Sequence, residues 1–171
     1  TSEEYEKEIS KSFPYKLTDG QTRAIKDIKT DLLSPFPMNR LLVGDVGFGK
    51  TEIMIRSVVF AVTSGYQAVV LAPTTLLSDQ HFFAFKSRLE PLGIRVGLLS
   101  RFVSKERRKE TLRSFSIKHI DVIIGTHSIL SADLLTDNIG IIIDKTLKDL
   151  GLMKKVSDYL INYNYYIFYY Y

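Results

Sequence analysis

Arg40-Leu41-Leu42-Val43-Gly44-Asp45-Val46-Gly47-Phe48-Gly49-Lys50-Thr51 runs from an apolar segment, through a glycine-rich turn, into the start of a helical pattern. From Gly44 onward it fits G-x-x-x-x-G-K-[ST], and it has the strand-before, helix-after setting that this phosphate-binding motif requires. The glycines let backbone N–H groups turn inward around a β-phosphate, and the positive end of the following helix dipole faces the same charge. Lys50 is expected to reach the β- and γ-phosphates, and the Thr51 hydroxyl to ligate Mg²⁺. Gly44, Asp45, Val46, Gly47, Phe48, Gly49, Lys50 and Thr51 are therefore the candidate nucleotide-binding residues, with ATP the expected ligand. The competing reading is a plain glycine turn that happens to carry Lys and Thr.

Outward from this loop the same alternation repeats. Residues 40–43, 68–71, 94–99, 121–124 and 139–143 are short β-branched apolar runs, separated by stretches with helical spacing at 18–33, 51–63, 76–89, 104–116 and 128–135. Near-continuous apolar runs belong to strands covered on both faces, so the pattern predicts a parallel sheet with helices on either side, a doubly wound α/β domain. Thr18 is placed as the N-cap of the first of these helices, and Pro35 ends it.

At 171 residues, 45% of them hydrophobic and 25% charged, the chain suits one domain with one core and excludes wholesale disorder. A net charge of +4 suits a polyanionic partner without requiring one. With no cysteine there is neither a disulfide framework nor a thiolate nucleophile. The N-terminal stretch carries Glu3, Glu4, Glu6 and Glu8 and does not read as a secretory signal. The apolar part of the tail falls short of the roughly 20 residues that span a bilayer. No membrane is expected, and a cytoplasmic location is the default.

Several other residues stand where an open α/β sheet places its ligands, at the C-terminal ends of strands. Thr74 and Thr75 follow the second run, Arg101 the third, Thr126 and His127 the fourth. Hydroxyls and helix N–H groups there can hold a nucleic-acid phosphate, and simple helix capping is the alternative for the threonines. Gln21 carries an amide able both to donate and to accept, matching an adenine edge; taken alone it equally suits a solvated polar residue.

Taken in order, Phe-Pro-Tyr-x-Leu-Thr-x-x-Gln (13–21), Gly-Asp-Val-Gly-Phe-Gly-Lys-Thr-Glu (44–52), Ala-Pro-Thr-Thr-Leu-Leu (72–77), Leu-Leu-Ser-Arg-Phe (98–102) and Gly-Thr-His (125–127) resemble the superfamily 2 nucleic-acid motors. Within them the bacterial transcription-repair coupling factors are most similar. The RecG-type branched-DNA helicases, which share the Gly-Asp-Val-Gly core, are the alternative. The resemblance covers roughly residues 3–144 and implies a RecA-like lobe over 1–144, with a sheet left incomplete at its C-terminal side. It implies that Gln21 reads adenine, that Lys50 and Asp144 serve catalysis, that Thr51 and Asp144 hold Mg²⁺, and that Thr74, Thr75, Arg101, Thr126 and His127 face duplex DNA. It also implies partners, RNA polymerase and excision-repair proteins, whose binding modules have no counterpart in these residues, nor does the second lobe.

The resemblance breaks after Ile141-Ile142-Ile143-Asp144. The family continues with Glu, which orients the attacking water, and here the residue is Lys145. A cation cannot accept the water's proton and competes with Mg²⁺ for the phosphates, so turnover is expected to be severely impaired. A nucleotide- or DNA-binding module without turnover is a further alternative. Inserting one G after the Asp144 codon permits Asp-Glu-Asn-x-x-Arg-Phe-Gly, close to the family's continuation, so residues 145–171 are read as a non-homologous, possibly frameshifted tail. That tail holds Lys145, Lys148, Lys154 and Lys155 and then seven of the ten tyrosines. It is expected to be disordered or poorly packed, leaving the sheet with an exposed edge.

Overall fold

The computed structural model describes residues 2–36, 38–44, 49–130, 134, 138–145 and 166–170. Among them are six strands: β1 (Asn39–Leu42), β2 (Gln67–Leu71), β3 (Val96–Leu99), β4 (Val122–Gly125), β5 (Ile139–Asp144) and β6 (Tyr166–Tyr170). They form one sheet in the order β1-β6-β5-β2-β4-β3, and every pairing is parallel. The helices are α1 (Ser2–Lys11), α2 (Asp19–Leu32), α3 (Lys50–Thr63), α4 (Thr75–Leu89) and α5 (Lys105–Ser116), with 3₁₀ turns at Glu90–Leu92 and His127–Ile129.

The central strands explain their own sequences. All of β2, β4 and β5 is buried, and successive side chains serve opposite layers, as the two-residue period of a strand requires. Ala68, Val70, Val122, Ile124, Ile141 and Ile143 pack beneath α1, α2, α3 and α4 with Ile28, Met54, Val58 and Phe85. Val69, Leu71, Ile123 and Ile142 face the other way, onto Phe115 and Leu112 of α5 and Ile129. Two layers of helix on one sheet confirm the doubly wound α/β reading.

Local signals fix the boundaries. Thr18 caps α2 in a reciprocal box: its hydroxyl accepts from the Gln21 N–H at 3.2 Å, while the Thr18 N–H donates to Gln21 Oε1 at 2.9 Å. Glycine is required at the end of β4, where a Cβ on residue 125 would press 2.5 Å from the Leu99 carbonyl oxygen. Helix α1 has no strong sequence signal, yet it is tied to the body by Arg56 and Arg88, whose guanidiniums donate to Ser10 Oγ, Ser12 Oγ and the Ile9 carbonyl.

Two expectations are corrected. The expected helix over 128–135 is a single 3₁₀ turn, His127–Ile129, in the described part of that range; residues 131–133 and 135 lie outside the described residues. In the described part of the tail a strand is found where an unpaired edge on β5 was expected, with β1 and β3 the outer strands of the sheet; residues 146–165 and 171 lie outside the described residues. Tyr166–Tyr170 forms β6 and pairs with both β1 and β5, filling the gap between the strand that feeds the phosphate loop and the strand that ends in Asp144. Tyrosine, isoleucine and phenylalanine are strong strand formers, and the free N–H and C=O groups of two neighbouring parallel strands favour a third between them.

Candidate nucleotide-binding rim

All five parallel strands that precede a candidate site residue deliver it to the same rim of the sheet. Read across the strand order, the rim presents Gly44, then Asp144 and Lys145, then Thr74 and Thr75, then Thr126 and His127, and last Arg101.

The phosphate loop starts at Gly44 and ends at Gly49, the N-cap of α3, whose φ of 67° lies in the left-handed region that favours glycine. Asp45, Val46, Gly47 and Phe48 lie outside the described residues. Lys50 Nζ donates to the Gly44 carbonyl at 2.6 Å, so the ammonium spans the loop from its exit back to its entrance. Gln21 lies against the same turn: a Cβ added at Gly49 would collide with Gln21 Nε2. The capping box that starts α2 thus sets a buried amide at the edge of the phosphate loop, joining two sequence-distant candidates. Thr51 follows in the first turn of α3.

At the end of β5, Asp144 is buried, and His127 Nε2 reaches over from the end of β4 to its Oδ2 at 2.8 Å. This contact passes across the end of β2, the strand that separates them. Lys145 is fixed by its backbone, donating its N–H to the Leu71 carbonyl at 3.0 Å. Its side chain lies 3.0 Å from His81 Nε2 on α4. Burial, and secondly the Lys145 charge, push the His81 imidazole down to about 4, so it is neutral at physiological pH and accepts a hydrogen bond from the ammonium. Burial, and secondly the Lys50 charge, hold the Lys145 ammonium below the usual lysine range. Thr51 and Asp144 offer a hydroxyl and a carboxylate, a donor set that fits one Mg²⁺ shared with nucleotide phosphates rather than an all-protein cage. No cluster of three or more His, Cys, Asp or Glu suited to a metal occurs among the described residues.

The remaining rim residues divide. Thr74 caps α4, its hydroxyl accepting from the Leu77 N–H at 3.2 Å, and Thr75 turns inward and is buried. Thr126 Oγ1 lies 2.9 Å from Ser128 Oγ. Arg101 is exposed beside Phe102, with its guanidinium 5.8 Å from the ring centre, and Phe102 is 75% exposed. Sequence reasoning missed His81, Glu52 and Arg88. Glu52, the residue after Thr51, is buried with an arginine on each oxygen: Arg56 at 2.6 Å and Arg88 at 2.5 Å. Only the helical i, i+4 spacing of Glu52 and Arg56 could have suggested half of that cluster.

The sequence profile described as DEAD/DEAH box helicase matches residues 18–154. Transcription-repair-coupling factor of Bacillus subtilis is 40% identical over 152 residues, covering 89% of this chain and 13% of that protein. The protein of the same name from Borreliella burgdorferi is 45% identical over 143 residues, covering 84% of this chain and 13% of the relative. The structure of RecG bound to a three-way DNA junction superposes with a TM-score of 0.83 at 32% identity, covering 96% of this chain and 22% of that one. The chain thus spans about an eighth of the length of these curated relatives, 13% in each case. No helix among the described residues is long and apolar enough to cross a membrane.

Proposed function

The chain belongs to the DEAD/DEAH box helicase family, and on that premise we propose that residues 1–144 are the nucleotide-binding lobe of a DNA translocase of the transcription-repair coupling type, one that holds ATP without turning it over efficiently. The observation that carries the proposal is Lys50 held across the loop on the Gly44 carbonyl, with Lys145 standing directly after Asp144 on the same rim.

Phosphoryl transfer to water depends on positioning and on charge stabilisation at the terminal phosphate. Lys50, released from the Gly44 carbonyl, supplies charge to the β- and γ-phosphates. Gln21, with Oε1 held by the Thr18 N–H, keeps Nε2 at the loop, where it meets the base. Thr51 and Asp144 would hold Mg²⁺, which when bound polarises the phosphate oxygens. Hydrolysis needs in addition an acceptor for the attacking water's proton. Lys145, an ammonium next to a neutral imidazole, is a donor and blocks that role.

On the same rim, Thr74, Arg101 and Thr126, with the backbone N–H of Thr75, form the proposed contact surface for duplex DNA, and Arg101 with Phe102 offers a cation and an exposed ring. His127 serves that surface by way of Asp144, coupling the DNA-facing loop to the nucleotide side. RNA polymerase and excision-repair proteins are the proposed partners of the whole protein, in the cytoplasm. The likeness to RecG supports a second reading, a lobe that acts on branched DNA.

Two assays on the full chain test the proposal: ATP binding by calorimetry, and phosphate release with and without duplex DNA. Saturable binding that is lost in Lys50→Ala, together with release at the background rate, is expected. Robust DNA-stimulated release would contradict it. Binding preference for a three-way junction over linear duplex would favour the RecG reading.

A further inference from the structure

We infer that one flank of α5, carrying Lys105, Arg108, Lys109 and Arg113, is a second contact for the sugar–phosphate backbone of duplex DNA, one that works without nucleotide. The inference stands on the charge of α5 and not on the rim contact proposed above, so that either can fail without the other.

Residues 101–119 hold seven basic and two acidic side chains, a net of +5 where the whole chain carries +4. The positive excess of the molecule is thus gathered in one segment, and the rest of the chain is slightly acidic. Packing decides how that charge is displayed. Leu112 and Phe115 turn α5 onto the sheet, where it lies against the outer strand β3. With 3.6 residues per turn, Lys105, Arg108, Lys109 and Arg113 then share one flank, and Glu106 and Glu110 share another. Lys105, Lys109 and Arg113 are exposed and Arg108 is half-buried.

The signs are sorted rather than interleaved. Lys105, Lys109 and Arg113 follow one another at i, i+4, as do Glu106 and Glu110, and like charges at that spacing cost a helix stability. A flank that needed only solvation would alternate them. No ion pair involves an α5 side chain among the described residues, whereas Arg40, Arg56, Arg88 and Arg95 each meet a carboxylate. The row begins just past the Ser104 cap, directly after the rim residues Arg101 and Phe102, and runs for about 12 Å down the outer edge of the domain. Duplex DNA offers a negative charge for every 1.7 Å or so of its axis, about seven along such a row. Contacts to phosphates carry no sequence information and involve no nucleotide, and a straight row of cations suits that even supply of charge.

The test is fluorescence anisotropy of the full chain with a labelled duplex between about 50 and 200 mM KCl, with and without ATP. Wild type is compared with the triple variant Lys105→Gln/Lys109→Gln/Arg113→Gln, with the charge-keeping triple Lys105→Arg/Lys109→Arg/Arg113→Lys, and with the rim variant Arg101→Gln. In the glutamine triple the slope of log affinity against log salt is expected to fall by about three, equally with and without ATP and for any duplex sequence. The charge-keeping triple should match wild type. Lys109→Gln alone should lower the slope by about one, a check that does not depend on the triple being folded. An unchanged slope in Lys109→Gln and in the folded glutamine triple overturns the inference, and a simultaneous loss in Arg101→Gln would leave the rim contact standing alone. A slope that falls only when ATP is bound overturns it too, as does polyglutamate that displaces the duplex as well as unlabelled DNA of equal charge, which would make the partner an acidic protein surface. A folded wild type that binds no duplex at the lowest salt defeats both the inference and the rim contact.

Discussion

Two charged clusters flank the first turn of α3, and they are built on opposite principles. Behind the turn, each Glu52 carboxylate oxygen holds an arginine, and the arginines donate further to Ser10 Oγ, Ser12 Oγ and the Ile9 carbonyl. In front of it, Lys50 Nζ meets the Gly44 carbonyl, Lys145 Nζ meets a neutral imidazole, and Asp144 is in contact with His127. The first cluster is complete within the chain and fastens α1 to α3 and α4. The second lies at the C-terminal rim of the sheet, where an open α/β fold places its ligands. The same helix turn therefore separates charge that holds the fold from charge that, in the proposed function, meets a ligand.

The largest effect should come from the Glu52 cluster. Glu52→Ala leaves Arg56 and Arg88, 12% and 18% exposed, without their shared anion. Urea unfolding should show a loss of about 3–5 kcal/mol, and a loss no larger than for an exposed glutamate would erase the distinction between the clusters. His81 gives the next effect. Its pKa is lowered in the fold to about 4 from 6.5, so the unfolded chain binds the extra proton first as pH falls. Its contribution is complete above pH 6.5 and is lost on the way down to about pH 4, on the order of 2 kcal/mol. The difference in stability between wild type and His81→Gln across that window isolates this contribution from other titrating groups. Gly49→Ala, with φ at 67° and a Cβ directed at Gln21 Nε2, should cost about 1–2 kcal/mol. Thr74→Ala removes the cap of α4 and should cost about 1 kcal/mol in a thermal melt. Lys50→Ala should be the mildest for stability, since Lys50 Nζ meets the Gly44 carbonyl at the loop mouth and its side chain lies outside the buried core. A strong destabilisation there would mean that the front cluster, too, is structural.

Much of this was legible in the chain because it is written locally. Continuous apolar runs announce β2, β4 and β5, since both faces of a central parallel strand are buried. The Thr18 cap is a short-range pattern and lies where it was read, and α3 begins at Lys50, directly after Gly49. What stayed hidden depends on partners distant in sequence. The hold on α1 comes from Arg88, some 76 positions from Ser12, and His127 meets Asp144 only because β4 and β5 flank β2. The tail misled for a different reason. A tyrosine-rich run with no helical period reads as poor packing material until two parallel strands leave a gap that such residues fit, as β6 fits between β1 and β5. His81 was overlooked because a lone histidine on a helix carries no signal until Lys145 is brought to it across the sheet rim.

The most direct test is equilibrium titration of a fluorescent ATP analogue into the wild-type chain and Lys50→Ala, with the unfolding midpoint of each measured on the same samples. The account predicts saturable one-site binding by wild type, at least about a hundredfold loss in Lys50→Ala, and coincident unfolding midpoints. A correctly folded wild type whose loop stays empty at millimolar ATP, or a Lys50→Ala chain that binds as tightly as wild type, would contradict it.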